Sequence, residues 1–292
     1  MLEKNSKLIS VIIPCFNSGL TVQKSVNSVV NQTWKDKEII LVNDGSTDKL
    51  TLFILKELSK IKILKLINQN NLGLSSARNK GIKESNGNYL FFLDADDWIE
   101  ENCLEEMYFS LNKYKNFAYV YSDIITEGNF HKIIKNDFNF YQQLFLNKIP
   151  YSIFLNKKTL VVNGGYDDNM ESGYEDWDLN IRLGAKNLFG KRIPKPLFHY
   201  KVSDSGMLLS KSIKNHTKIW KYIRNKNKEL YQINNVLKIW IEWKFAKSNY
   251  PPLMIFIWFL VINYLPVTFS NRLFMALRKI NVFLKRTIFK TN

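Results

Sequence analysis

The amino-acid sequence predicts an α/β fold with a mostly parallel central sheet. Three observations carry this expectation. Short apolar runs alternate with helix-spaced segments up to about residue 124. The runs at 8–13, 38–42 and 88–93 read as buried strands. Each is followed by a polar cluster, at 14–17, 43–45 and 94–97. Open parallel sheets bind ligands at the carboxyl ends of their strands, where these clusters fall.

The elements follow in order. Residues 8–13 form a strand. Residues 20–32 carry helical spacing through Leu20, Val22, Val26, Val29 and Val30. Residues 38–42 (EIILV) are a second strand, and a helix is expected over 48–59. A strand over 61–67, a helix over 74–84 and a strand over 88–93 come next. A helix over 102–113 and a strand over 117–124 close the run.

Composition narrows the class. The chain has 292 residues, 46% of them hydrophobic, enough for a large core. Its two cysteines, Cys15 and Cys103, have no metal-like spacing, which points to a reducing compartment without disulfides. The N-terminal apolar run is short and ends at Pro14 and Asn17, so a secretory signal is not expected and the chain should stay in the cytosol. There is no GxGxxG or GxxxxGK loop, which disfavours a Rossmann cofactor or P-loop nucleotide site.

The stretch LFFLDADDW, residues 90–98, drives an apolar strand into Asp94, Asp96 and Asp97. Carboxylates this close repel and raise each other's pKa unless a cation or ligand offsets the charge.

Six motifs give this cluster a context. They are IPCFNSG (13–19), LVNDGSTD (41–48), NLGLSSARNKGI (71–82), LDADDW (93–98), GGYDDNM (164–170) and YEDWDLNIRL (174–183). Their order and spacing resemble family 2 glycosyltransferases, inverting enzymes of the GT-A fold that use nucleotide-diphosphate sugars. The resemblance covers roughly residues 8–205.

The resemblance implies roles for individual residues. Pro14, Phe16, Asn17 and Asp44 would line the nucleotide base, with Asn43 standing where the family often has a further acid. Gly73 and Arg78 would lie beneath the donor, Arg78 contacting a phosphate oxygen unless it pairs with a nearby acid. Asp94-Ala95-Asp96 looks like the DxD element that holds Mn²⁺ or Mg²⁺ on the diphosphate. Asp96 would bind the metal, and Asp94 the ribose or the metal's outer shell. Asp176 would be the general base toward the acceptor hydroxyl, with Glu175 beside it holding sugar hydroxyls. The plainer alternative makes both acids simple helix-start residues. Trp177 would offer a ring face to the acceptor. His199 would be a metal ligand and Lys201 a phosphate contact, or His199 a strand-end histidine with its own partners. Asp204 to Met207 would be a mobile lid.

Charge sets the C-terminal part aside. Residues 211–292 hold sixteen Lys and Arg against two acids, Glu229 and Glu242. Residues 253–269 are uncharged, but Asn263 and Pro266 interrupt a run that is already short for a membrane span. Beyond them Leu273, Phe274, Leu277, Ile280, Phe283, Leu284 and Ile288 recur at helical spacing among basic residues. This predicts a catalytic domain over 1–210 and a basic, helical, membrane-associating tail over 211–292, the plainer alternative being a helical hairpin packed on the enzyme body or on a second subunit. The expected location is the cytoplasmic face of the plasma membrane, against anionic lipid. No nucleic-acid motif accompanies the charge, so no nucleic-acid partner is expected.

Together these readings predict an enzyme that moves sugar from a nucleotide sugar, most simply a UDP-sugar, to a glycan or lipid-linked acceptor in bacterial cell-surface polysaccharide synthesis. The alternatives are a polyprenyl-phosphate glycosyl synthase and a catalytically degenerate glycan-binding protein.

Overall fold

The computed structural model describes residues 7–128, 131–202, 215–248, 251–265 and 269. The expected lid at 204–207 and the basic helix after residue 272 lie outside the described residues.

The first half follows the predicted alternation. Strand β1 (Ile9–Cys15) leads to helix α1 (Gly19–Val30), β2 (Lys37–Asp44) to α2 (Lys49–Leu58), and β3 (Leu64–Gln69) to α3 (Leu74–Glu84). Strand β4 (Tyr89–Phe92) completes a parallel quartet in the order β3-β2-β1-β4. Side chains alternate across it. Ile9, Val11, Ile13, Ile39, Leu41, Phe91 and Leu93 join one core beneath α1 and α2. Ile12, Ile40, Val42, Leu90 and Phe92 join another with Ala77 and Ile82 of α3. Both faces are covered, which is why these strands are apolar at nearly every position.

The sheet as a whole is mixed, not mostly parallel. Strand β5 (Trp98–Ile99) and helix α4 (Cys103–Lys113) precede β6 (Tyr119–Gly128) and β7 (Lys132–Ile134). Helix α5 (Phe140–Gln143), strand β8 (Phe154–Asn156) and helix α6 (Lys157–Val162) follow. Helix α7 (Glu175–Ala185) then leads into β9 (Gly190–Val202). The path runs β3-β2-β1-β4-β8-β6-β9-β5, with β7 on β6. Strand β8 pairs antiparallel to both β4 and β6, and β5 antiparallel to β9.

Strand β9 carries Pro194 and Pro196, residues that argue against a strand in sequence. The sheet accommodates them at an irregularity. The register against β6 jumps from Ser122–Ile193 to Asp123–Pro196, so the prolines fall where the ladder is already interrupted.

A third core is aromatic. Phe140, Tyr141 and Phe145 near α5 and Trp177 and Ile181 of α7 pack with residues from three further helices. These are α8 (His216–Lys226), α9 (Ile233–Trp243) and α10 (Pro252–Tyr264). The C-terminal helices are thus seated on the catalytic-side helix through one continuous cluster.

Candidate active site

The carboxyl ends of β1, β2 and β4 lie side by side, and the polar clusters gather there. Phe16 and Asn17 surface at the end of β1, while Pro14 is buried in the strand opposite Val42. Asn17 adopts a left-handed conformation (φ 49°), and its Oδ1 accepts from the Thr47 and Asp48 amides. This ties the first loop to the second. Gly45 (φ 72°) allows a further close approach: a Cβ there would meet the Asn71 nitrogen at 2.6 Å.

Asp44 is buried and holds this third loop. Its Oδ1 accepts from Gln69 Nε2 (2.7 Å) and the Leu72 amide (2.9 Å), and its Oδ2 from the Gly73 amide (2.9 Å). Three donors leave a carboxylate about one acceptor position. Its visible work is shaping the turn before α3, where Gly73 (φ 92°) faces open space.

Arg78 differs from the expected donor contact. It is fully buried, and both terminal nitrogens serve protein carboxylates. Nη2 donates to Asp94 Oδ1 at 2.7 Å and Nη1 to Glu175 Oε1 at 2.5 Å. Its guanidinium lies 5.0 Å from the Tyr151 ring centroid and 5.2 Å from that of Tyr166. Burial opposes its charge, but Asp94 and Glu175 outweigh burial and hold its pKa well above the ordinary value. Arg78 is a brace between the end of β4 and the start of α7. The alternative reading, pairing with a nearby acid, is what the fold chose.

The three aspartates after β4 have separate environments. Asp94 is partly exposed, and its amide donates to the Tyr151 hydroxyl (2.9 Å). That hydroxyl donates to buried Asp97 (2.5 Å), which also accepts from the Lys201 amide (2.7 Å). Burial first, then the charges of Asp96 and Asp94, raise the Asp97 pKa well above the carboxylate range. Asp96 points to the surface. Low local solvation and the Asp94 charge push its pKa up to about 6, with the Lys201 charge opposing. Lys201 is therefore within electrostatic reach of Asp96.

Asp94 and Asp96 offer hard oxygens to a divalent cation, and their mutual repulsion is what such a cation relieves. Among the described residues no three His, Cys, Asp or Glu converge as a metal cage. The fit is to a cation held by one or two carboxylates with a diphosphate supplying the rest. His199 does not suit the ligand role expected of it. Its Nδ1 lies 2.8 Å from Glu127 and its Nε2 2.7 Å from Glu100, and its ring stacks on Trp98. Both nitrogens are already engaged, so the strand-end alternative describes it.

Helix α7 begins at Glu175, with Tyr174 before it in a left-handed conformation (φ 65°). Glu175 is buried against Arg78, and Asp176 lies in the first turn, where the positive helix end favours a carboxylate. Asp176 Oδ1 accepts from the Trp177 amide (2.8 Å) and Oδ2 from Asn147 Nδ2 (3.0 Å). Burial and then the Glu175 charge nevertheless raise its pKa to about 7, against the lowering effects of Asn147 and Arg78. A carboxylate poised near neutrality suits proton abstraction.

Trp177 is not an acceptor surface. It is 2% exposed, donates from Nε1 to the Gln143 carbonyl (2.6 Å) and stacks with Trp220 and His216. Helix periodicity explains this: one position past Asp176, Trp177 points about 100° away, into the aromatic core. Sequence reasoning missed Asn147 and Tyr151. Both lie between residues 127 and 155, where one sequence shows no motif. Tyr166 was within a quoted motif but had no assigned role.

Residues 10–170 match the family model for Glycosyl transferase family 2. The chain belongs to this family. Glycosyltransferase GlyA of Streptococcus pneumoniae is 40% identical over 153 residues, 51% of this chain and 21% of GlyA. The minor teichoic acid biosynthesis protein GgaB of Bacillus subtilis is 30% identical over 210 residues, 68% of this chain and 23% of GgaB. The chain thus spans about a fifth of the length of these relatives. Among solved structures, Staphylococcus aureus TarS with UDP-GlcNAc superposes with a TM-score of 0.61 at 18% identity, covering 74% of this chain and 65% of that one. TarS with UDP gives 0.56 at 19% identity, covering 68% of this chain and 61% of that one. These likenesses establish a GT-A-like α/β fold for a family 2 glycosyltransferase domain.

Proposed function

We propose that this domain transfers a sugar, with inversion, from a nucleotide-diphosphate sugar to a hydroxyl of a glycan or lipid-linked acceptor in bacterial cell-surface polysaccharide synthesis. One observation carries the reading. Arg78 joins the DxD-like Asp94 to Glu175, which precedes Asp176, so a diphosphate-side carboxylate pair and a near-neutral base sit at one sheet edge. The UDP and UDP-GlcNAc bound to TarS support a UDP-sugar donor, and the GgaB likeness supports a polysaccharide acceptor.

The residues divide the work. Phe16 and the turns held by Asn17 and Asp44 receive the base. Asp94 and Asp96 would hold Mn²⁺ or Mg²⁺, and Lys201, within electrostatic reach of Asp96, would meet phosphate charge. A bound divalent ion supplies charge stabilisation to the leaving diphosphate. Asp176 takes the proton of the acceptor hydroxyl as that oxygen attacks the anomeric carbon from the face opposite the nucleotide. Arg78, Tyr151 and Asn147 keep the two halves in register.

The test is a panel of nucleotide sugars assayed with Mn²⁺ or EDTA, for the wild type and Asp176→Asn. The expected result is turnover of one donor, abolished by EDTA, with Asp176→Asn losing transfer and keeping donor binding. Absence of binding to every nucleotide sugar with metal present overturns the proposal. Donor binding without transfer to any glycan acceptor would favour a degenerate binding protein.

A further inference from the structure

Helix α10 is uncharged from Pro252 to Tyr264. A helix that is apolar all round belongs in a core or a membrane. Among its described side chains, Ile255 and Phe259 are buried in the aromatic cluster, with Phe256 and Leu260 packed against it. On other sides Leu253, Ile257 and Tyr264 are exposed, Tyr264 by 70%. Its 13 residues rise about 20 Å, short of the roughly 30 Å of a bilayer core. No helix among the described residues is long and apolar enough to cross a membrane.

Helix α9 adds exposed apolar residues beside it. Trp240 and Phe256 stack with centroids 5.2 Å apart, which sets α9 beside α10. The residue after each, Ile241 and Ile257, is exposed, and Phe245 beyond α9 is 91% exposed. Lys238 and Lys244 are exposed in the same segment, Lys244 over the Phe245 ring. Residues 211–292 carry sixteen basic and two acidic side chains.

We infer that the α9–α10 face, with Ile241, Phe245, Leu253, Ile257 and Tyr264 at its centre, lies on an anionic lipid bilayer without crossing it. An apolar face of this kind enters the headgroup boundary, and each adjacent Lys or Arg adds attraction to anionic lipid. The charge decides between occupants. A second copy of this chain would bring the same strongly basic segment against itself, whereas an anionic surface offsets it. The inference is independent of the transferase reading, because its deciding readout is binding to lipid vesicles. The face packs through the same aromatic core as α7.

The experiment is co-sedimentation of the full chain with vesicles of phosphatidylcholine alone or mixed with phosphatidylglycerol. The expected result is binding that needs phosphatidylglycerol and weakens when salt rises from about 0.1 M to about 0.5 M. Phe245→Glu with Ile257→Glu should reduce it at least tenfold while the melting temperature and nucleotide-sugar turnover persist. A second variant, Lys238→Gln with Lys244→Gln, should reduce it several-fold without touching the apolar face. Equal binding to phosphatidylcholine alone, or binding unchanged in both variants, overturns the inference. So does a chain that ignores vesicles, whether light scattering shows a dimer broken by Phe245→Glu with Ile257→Glu or a monomer whose own residues 266–292 cover the face.

Discussion

Replacing Arg78 by Met tests the central brace. Met keeps much of the length and apolar character but removes the charge and both ion pairs. Asp94 can turn to solvent, because its side chain is about a quarter exposed. Glu175 cannot, with side-chain exposure of 6%. It would keep a buried charge next to Asp176 or take a proton. Removing one partner of a buried pair costs about 3–5 kcal/mol. In a domain of this size each kcal/mol moves the melting temperature by roughly 2–4 °C, so a drop of about 6–20 °C is expected. Thermal unfolding followed by circular dichroism at pH 8 reads it directly. The double variant Arg78→Met with Glu175→Gln should recover at least half the loss, since the orphaned charge is gone. A drop under about 2 °C, or no recovery in the double variant, would refute a structural brace.

Four further outcomes follow from the buried groups around the site. Asp176 must be ionised to accept a proton, so transfer should fall about tenfold per pH unit below about 7. Asn147→Ala removes a donor to that carboxylate and should shift the acidic limb upward by about half a unit to one unit; an unmoved limb would dissociate Asp176 from the profile. The same group acts on stability with a definite sign. Its folded pKa lies above the ordinary 3.8, so the folded state holds the proton more tightly, and its contribution to stability declines as pH rises from about 4 through about 7. Trp177→Ala should cost about 3–5 kcal/mol through the emptied core site, measured by denaturant unfolding. If stability held and only the acceptor KM rose, the buried assignment of Trp177 would be wrong.

Much of this was legible in the chain itself. Patterns of apolar runs and helical spacing fixed β1 to β4 and α1 to α4, because local periodicity and strand-end polarity are properties of short segments. The motifs placed Asp94, Asp96 and Asp176 at element ends for the same reason. What a single sequence does not carry is which side chains meet. The partner of Arg78 lies 97 residues away in Glu175, and the donors to Asp176 and Asp97 come from Asn147 and Tyr151 in a stretch without motifs. Strand β9 was hidden by its prolines until a register jump made room for them. Trp177 and His199 carried side chains suited to binding, and only packing showed that one is core and the other already paired. Composition alone determined that this chain has a near-neutral body and a basic tail. Tertiary structure decided that the described helices of that tail rest on α7 through shared aromatic packing, because burial depends on neighbours that are distant in sequence.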